Sequence, residues 1–217
     1  MIPIKLNGVT RILCLGAHSD DIEIGCGGTI LRLIESRKNL DFYWMVLSSN
    51  ETRAKEARKS AQSFLRGARS KKIVVKPFRD GFLPHIGGPV KECFEELKRE
   101  FAPDVIFTHF RNDLHQDHRF VSELTWNTFR NHLIFEYEIP KYDADLGSPN
   151  FFVPLSDSQC RRKVKGLMRH FGSQRNRQWF SEDLFEGLMR LRGIEAASPT
   201  RYAEAFHCRK ISLGSFS

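Results

Sequence analysis

Short apolar runs alternate along this chain with longer segments in which apolar residues recur every three or four positions. The runs have the length and composition of buried strands and fall at residues 11–16, 42–47, 72–75, 104–108 and 133–137. The periodic segments between them predict helices at residues 23–36, 51–66, 89–101 and 118–130. Strands that alternate with helices predict an α/β fold with a mostly parallel central sheet covered by helices on both faces.

The pattern is weaker beyond residue 137. Prolines and glycines at residues 147–154 predict a loop before a final strand and helix, and residues 198–206 suggest a loop followed by a closing strand. The chain from about Trp179 onward has the least regular pattern. Because the 217 residues contain no internal repeat or low-complexity tract, we expect one domain spanning residues 1–217.

The composition is that of a soluble protein with a buried core, since 41% of the residues are hydrophobic and 28% are charged. No stretch approaches the roughly 18 apolar residues that span a bilayer. The N-terminus also lacks a secretory pattern, so we expect a cytoplasmic protein. The five cysteines include no CxxC pair, which argues against a disulfide framework or a thiolate metal cluster and predicts buried or free thiols.

The chain is basic, with a net charge of +8, and residues 161–177 hold seven lysines and arginines but no acidic residue. This stretch has three interpretations: a solvated helix face, an anion-binding surface for a nucleotide sugar or phosphorylated substrate, or a nucleic-acid surface. Because the sequence contains no RNP motif, zinc finger or basic zipper, we expect no nucleic-acid partner.

Histidine and aspartate are concentrated directly after the first and fourth predicted strands. His18, Asp20 and Asp21 follow the first strand, and the segment THFRNDLHQDH at residues 108–118 contains the end of the fourth. Because the carboxyl ends of parallel strands meet at one edge of a sheet, we expect the two clusters to lie together. The alternative is that these residues only cap helices and form turns, and two dense clusters on one side of the sheet argue against it.

The residue types in these clusters suit a catalytic metal. Imidazole and carboxylate ligands without thiolates favour zinc, although iron or cobalt would accept the same ligands. A metal held by three protein ligands lowers the pKa of its bound water to about 7, which supplies hydroxide for attack at neutral pH. Hydrolysis also needs a base beside that water and a donor for the oxyanion, and the clusters contain residues for both roles.

The two clusters also resemble the motifs of a known family. The segment AHSDDIEIGCGGTI at residues 17–30 resembles the AHPDDxE…GGTI signature of the PIG-L/LmbE-like N-acetylglucosaminyl deacetylases, and the second cluster resembles their HxxNDxHxDH motif. Weaker similarity continues at residues 51–56, 80–83, 173–174 and 203–206. The resemblance implies an LmbE-like fold, which is a Rossmann-like three-layer sandwich.

Carried over position by position, the resemblance implies a zinc site with an adjacent base. Its zinc ligands are His18, Asp21 and His118, and its general base is Asp20. Neighbouring aspartates project in different directions, so one can bind the metal while the other faces the water.

The resemblance implies roles for three more residues. His115 would stabilise the oxyanion and Asp117 would orient His115. Arg53 would hold the sugar, the alternative being an exposed arginine paired with a nearby glutamate. Two departures from the family pattern are Ser19, which replaces the usual proline, and residues 48–50, which lack the glycines of many members.

Four residues close to these motifs are expected to be structural. His109 and Asp113 match the second motif and are expected to brace its loop, and Cys26 is expected to be a packed thiol. His207 is expected to be an ordinary strand histidine, the alternative being that it reaches the mouth of the site.

These features predict a zinc-dependent amidohydrolase that removes the acetyl group from an N-acetylated amino sugar, either free or linked to a nucleotide, a lipid or a second ring. The residues argue for metal-assisted hydrolysis, and the resemblance supplies the sugar and the acetyl group. Two alternatives stay open: hydrolysis of another small acyl amide or a phosphoester, and a catalytically inactive carbohydrate-binding protein. We expect a small-molecule partner and no membrane span, and association into a homo-oligomer stays open.

Overall fold

The computed structural model describes residues 3–212, which form one seven-stranded sheet with helices on both faces. Its strands are β1 (Arg11–Gly16), β2 (Asp41–Ser48), β3 (Ser70–Phe78), β4 (Val105–His109), β5 (Leu133–Tyr137), β6 (Phe151–Leu155) and β7 (Tyr202–Cys208). Its α-helices are α1 (Asp21–Ser36), α2 (Glu51–Phe64), α3 (Gly87–Glu100), α4 (Gln116–Thr128), α5 (Asp157–His170) and α6 (Glu182–Glu195). Short 3₁₀ turns lie at Leu83–Ile86 and Gly172–Gln174.

The sheet has the strand order β3-β2-β1-β4-β5-β7-β6. The first five strands along this order are parallel to one another, and β7 runs antiparallel to both of its neighbours. Strands β2 and β3 are added on one side of β1, and β4 and β5 are added on the other side. Open α/β sheets form a crevice where the strand order reverses in this way, here between β1 and β4. The predicted Rossmann-like, mostly parallel sheet is therefore confirmed.

Alternating side chains on the strands face two separate cores. On β1, Ile12 and Cys14 pack into the core shared with α1, α2, α5 and α6, whereas Leu13 and Leu15 pack into the core shared with α3 and α4. All four are fully buried. This period of two on a strand covered on both faces produces the three-layer sandwich.

Helix α1 differs from its prediction at its start. It begins at Asp21, two residues before the predicted start, and the glycine-rich segment does not open it. A break lies within the helix at Cys26, where φ is −141° and ψ is 15°. The glycines instead allow close packing, because a Cβ at Gly25 would lie 2.1 Å from the ring of Tyr137 on β5.

In the C-terminal third, the predicted final strand and helix occur as β6 and α5, but β6 begins inside the predicted loop, and α6 was not predicted. Strand β6 occupies part of residues 147–154, which were predicted to form a loop. Its proline, Pro154, is tolerated because β6 is an edge strand that pairs only with β7. Helix α6 lies in the irregular tail, where Ser181 caps it by accepting from the backbone N–H of Leu184. The predicted closing strand is confirmed as β7.

The helices and the cysteines of the structure bear on the expectations drawn from composition. No helix within residues 3–212 is both long and apolar enough to cross a membrane. All five cysteines are free thiols and all except Cys208 are buried, as predicted.

Candidate active site

The loops that follow β1 and β4 meet at the carboxyl edge of the sheet, because the two strands are parallel neighbours. His18 lies in the first loop and His118 lies in the first turn of α4. Their facing ring nitrogens, Nδ1 of His18 and Nε2 of His118, are 3.1 Å apart. Residues separated by one hundred positions in the chain therefore share one site.

The three residues implied as metal ligands face one another at this point. Nδ1 of His18 is 3.4 Å from one carboxylate oxygen of Asp21, and Nε2 of His118 is 3.6 Å from the other. The two oxygens of Asp21 thus face different histidines. Three groups of side chains have donor atoms close enough to hold one ion: His18, His115 and His118; Asp21, His109 and His118; and His18, Asp80 and Asp117. His18, Asp21 and His118 are all buried.

Other side chains brace this set, as predicted for His109 and Asp113. Asp113 lies 2.9 Å from Nδ1 of His118, which leaves Nε2 of that ring facing the other donors. His109 accepts from the backbone N–H of Ala17 at 2.9 Å and lies 3.1 Å from Asp21. Such contacts fix the ring orientation of a metal ligand.

Two carboxylates lie against the far nitrogen of His18. Its Nε2 is 3.1 Å from Asp80 and 3.3 Å from Asp117. Asp117 also accepts from the backbone N–H groups of Gly81 and Leu83, at 2.8 and 3.1 Å, and so ties the β3–α3 loop to α4. Asp80 was not among the predicted site residues, although its position directly after β3 places it at the same sheet edge.

The buried charges change the pKa values of these groups. Burial lowers the pKa of His18, but the negative charges of Asp21 and Asp117 outweigh this, so its pKa lies well above the usual value. Burial lowers the pKa of His118 to about 3. Burial alone would raise the pKa of Asp21, whereas its three histidine neighbours hold it well below the usual value. Asp21 is therefore available as a charged ligand.

Asp20 and Asp21 have different partners, and both line the same cleft. One oxygen of Asp20 accepts from Arg53 at 2.7 Å, and the other is buried without a hydrogen-bond partner among residues 3–212. Burial raises the pKa of this carboxyl group, while the positive charge of Arg53 lowers it in part. Arg53 is only partly exposed and also lies 3.6 Å from Asp80, so the alternative of an exposed arginine paired with a glutamate is wrong.

His115 and Asp117 lie close to His18, but the contact between them differs from the expected one. Nδ1 of His115 accepts from the backbone N–H of Asp117 at 3.2 Å, which caps α4. The carboxylate of Asp117 is directed to His18, Gly81 and Leu83 instead. Burial and the positive charge of His18 lower the pKa of His115. A neutral ring whose Nδ1 accepts carries its proton on Nε2.

A cleft of about 500 Å³ is lined by His18, Asp20, Asp21, Arg53, Asp80, His115 and His118. Its walls include Lys141, Tyr142, Arg177 and Trp179, none of which was predicted as a site residue. Nζ of Lys141 lies 3.0 Å from Asp113, so this wall contacts the carboxylate that orients the ring of His118. Lys141 follows β5, and its position after a strand of the same sheet is the signal that could have indicated it.

A second wall of the cleft is held by α2. Glu56 accepts from the backbone N–H and the hydroxyl of Ser173, at 2.9 and 2.6 Å, and so fixes the turn that carries Ser173 and Gln174. The weak motif similarities at residues 51–56 and 173–174 therefore belong to two segments in direct contact.

Cys26 and His207 lie outside the cleft, whereas the basic stretch at residues 161–177 contributes Arg177 to its wall. Cys26 is buried and its thiol donates to the carbonyl oxygen of Ile22. His207 stacks on Phe110 with ring centroids 3.7 Å apart and does not line the cleft. Within residues 161–177, six of the seven basic side chains are exposed and only Lys163 is buried.

The chain matches a known family and resembles solved structures of the same fold. The family model described as PIG-L, GlcNAc-PI de-N-acetylase, matches residues 13–129. The chain is similar to the N,N'-diacetylchitobiose deacetylase of Pyrococcus horikoshii, with 22% identity and a TM-score of 0.72 over 93% of this chain and 84% of that one. It is also similar to GalB, the 4-carboxy-2-hydroxymuconate hydratase of Pseudomonas putida KT2440, with 17% identity and a TM-score of 0.73 over 95% and 98% of the two chains. A third similar structure is the zinc-inhibited form of the teicoplanin deacetylase Orf2, with 14% identity and a TM-score of 0.70 over 94% and 100%. At these identities the solved structures establish the fold only.

Proposed function

The chain belongs to the PIG-L family, and from that premise we propose that it is a metal-dependent hydrolase that removes the acetyl group from an N-acetylated amino sugar or sugar conjugate. One observation carries the proposal. The side chains of His18, Asp21 and His118 approach one another at 3.1 to 3.6 Å, with one oxygen of Asp21 near each histidine. They line one cleft with Asp20, one oxygen of which has no hydrogen-bond partner among residues 3–212. The fold alone would not be sufficient, because a hydratase shares it.

His18, Asp21 and His118 would hold the metal, which we propose to be zinc because the donors are imidazole and carboxylate. A divalent cation bound there would supply Lewis acidity, which polarises the amide carbonyl and lowers the pKa of a water. Asp113 would keep the ring of His118 oriented toward the ion, since it lies 2.9 Å from the opposite ring nitrogen.

Asp20 would act as the general base through its unpartnered oxygen. Arg53 holds the other oxygen at 2.7 Å and so fixes the direction of the carboxylate. Because burial raises the pKa of Asp20, this carboxylate is a stronger base than an exposed aspartate. It would take the proton from the attacking water and deliver it to the departing amine, which leaves acetate and a free amino group.

His115 would donate from Nε2 to the oxygen of the tetrahedral intermediate. Its Nδ1 is occupied by the backbone N–H of Asp117, which fixes both the tautomer and the ring direction. A donor fixed before reaction stabilises the developing charge without reorganisation. The backbone N–H of Asp117 would orient His115, and its carboxylate would bind Nε2 of His18.

The cleft walls support a sugar ligand of moderate size. A volume of about 500 Å³ is in the range of small-molecule sites. Tyr142 and Trp179 offer aromatic surfaces for a sugar ring, and Arg53 offers a charged donor for its hydroxyl groups. The names of two similar structures, a diacetylchitobiose deacetylase and a teicoplanin deacetylase, agree with this class of substrate.

The proposal is tested by measuring metal content and amide hydrolysis on one preparation. The chelated protein, reloaded with zinc or cobalt, is incubated with a panel of N-acetylglucosamine conjugates while acetate, free amine and phosphate are measured. We expect equal amounts of acetate and amine, loss of activity on chelation and recovery with about one equivalent of metal. Because one similar structure is a zinc-inhibited form, zinc is titrated both below and above one equivalent.

Three outcomes would contradict the proposal. Phosphate release without acetate would indicate phosphoester hydrolysis. Release of acyl groups only from amides that are not sugars would indicate a different amidase. Sugar binding without any turnover would indicate a carbohydrate-binding protein.

A further inference from the structure

Helix α1 is broken near its start, and the short turn before the break carries a proposed metal ligand. The non-helical backbone of Cys26 separates the turn from Asp21 to Gly25 from the rest of the helix. Asp21 lies in this turn, and Asp20 directly precedes it. The direction of the turn therefore decides where both carboxylates point.

Two buried side chains from distant elements bind the backbone groups beside the break. Lys163 on α5 donates from Nζ to the carbonyl oxygen of Ile24 at 2.5 Å. Glu204 on β7 accepts from the backbone N–H groups of Gly28 and Thr29 at 2.8 and 2.6 Å. Such carbonyl and amide groups lack helical partners wherever a helix is interrupted. The cation thus lies at the carboxyl end of one segment and the anion at the amino end of the next, which the helix dipoles favour.

The two side chains also bind each other. Nζ of Lys163 lies 2.6 Å from Glu204, and the two residues are only 3% and 4% exposed. A buried ion pair contributes little net stability, because the loss of hydration offsets much of the attraction. Because the pair contacts both segments of α1, it can instead fix the orientation of one segment relative to the other.

Close packing against the sheet fixes the backbone on both sides of the break. A Cβ at Gly25 would lie 2.1 Å from the ring of Tyr137, and a Cβ at Gly28 would lie 2.5 Å from Leu155. The hydroxyl of Tyr137 donates to the carbonyl oxygen of Leu15 at 2.6 Å, directly before the first site loop. Packing of Gly25 against Tyr137 therefore holds the turn against β5. The ion pair of Lys163 and Glu204 links it to the segment of α1 that follows the break.

We propose that Lys163 and Glu204 are positioning residues that fix the first turn of α1 and thereby the directions of Asp20 and Asp21. Neither side chain lines the cleft, so they act through the backbone of α1. The inference rests on the proposed function only for the assignment of Asp21 as a metal ligand. It also gives one of the seven basic residues in 161–177 a role unrelated to an anion-binding surface.

The first test replaces Glu204 by glutamine, which keeps the size of the side chain but removes its charge and one acceptor. Cobalt binding is measured by absorbance titration, and amide hydrogen exchange is measured by NMR at a temperature far below unfolding. We expect the dissociation constant for cobalt to rise about 10-fold or more, as for other residues that orient metal ligands. We also expect the amides of residues 21–25 to exchange at least about 10-fold faster. Lys163→Met should give the same two changes and serves if Glu204→Gln does not fold.

The matched control is Glu138→Gln, which breaks a second buried ion pair. Glu138 accepts from Arg192 at 2.5 and 2.9 Å, and Arg192 also binds Glu195 and the carbonyl oxygen of Gly147. We expect this variant to lower the unfolding temperature while cobalt affinity and exchange at residues 21–25 stay close to wild type. If Glu204→Gln behaves as Glu138→Gln does, the pair is only structural and the inference is wrong.

One further measurement needs no variant. In the wild-type protein the amides of Gly28 and Thr29 should exchange as slowly as those in the centre of β2, and rapid exchange there would overturn the inference. If the wild-type protein binds no cobalt, the proposed function fails, while the exchange data still decide whether the pair holds the turn.

Discussion

The proposed metal centre and the walls of the cleft come from different parts of the chain and are built in different ways. The proposed ligands and base lie after β1 and β4, inside residues 13–129, where parallel neighbouring strands bring their loops to one point. Much of the wall comes from the segments after β5 and α5, including Tyr142 and Trp179. In the first region, buried hydrogen bonds fix each side chain. The wall contains exposed side chains such as Tyr142, which is 71% exposed. We infer that the first region determines the reaction and the second determines which substrate enters.

The largest effect that would test this division is expected at Asp20. Asp20→Asn keeps the hydrogen bond from Arg53 but removes the base, so kcat should fall by about 10²- to 10⁴-fold. Metal content, measured on the same sample, should stay near that of wild type because the three donor atoms are untouched. Turnover at the wild-type rate would remove Asp20 from the mechanism.

The next largest effect is expected at His115. His115→Ala removes the donor to the oxyanion, so kcat should fall by about 10²- to 10³-fold. KM should change little, because this interaction forms mainly in the transition state. Steady-state kinetics over a range of substrate concentrations separates the two constants. A rise in KM with kcat unchanged would assign His115 to binding and would weaken the division between the two regions.

A smaller effect, on KM rather than on kcat, is expected in the cleft wall. Tyr142→Ala should raise KM by about 10-fold and change kcat by less than about 2-fold, since an exposed ring contributes binding rather than chemistry. The unfolding temperature should not change, because surface substitutions away from packed groups have little effect. Comparison of two substrates that differ only in the group attached to the sugar would sharpen the result. An equal loss of kcat for both would show that the wall takes part in catalysis.

The smallest effect concerns stability and pH in the C-terminal region. Burial, with a contribution from Arg192, lowers the pKa of His207 to about 4, and its Nε2 has no hydrogen-bond partner in the part of the chain that the structure describes. Because the unfolded chain binds this proton near pH 6.5 and the folded protein does not, the free energy of unfolding should fall as the pH decreases from about 6.5 to 4.

The matched variant for this prediction is His207→Phe, which keeps an aromatic ring against Phe110 and cannot titrate. Urea unfolding at several pH values should show a smaller decrease for the variant than for wild type. The same slope in both proteins would mean that other groups cause the pH dependence.

Much of the fold followed from local pattern. The five strands from β1 to β5 and the helices between them were predicted in the right order, and β5 was predicted with its observed bounds. Strand β6 was predicted to begin after residue 154 rather than at Phe151, because its proline is acceptable only at a sheet edge, and an edge position is not visible in local sequence. The break in α1 was missed, and the side chains that contact the backbone beside it, Tyr137, Lys163 and Glu204, lie more than one hundred residues away.

The sequence by itself determined the residue types of the site and the edge of the sheet where they meet, because strand direction and the order of elements are set by short-range periodicity. Only the tertiary structure decided the contacts of each carboxylate. It directed Asp117 to His18 rather than to the ring of His115, added Asp80 to the site and buried Lys163 behind it. The physical reason is distance: these contacts join side chains that only the packing of separate elements brings within about 3 Å, where hydrogen bonds and ion pairs act.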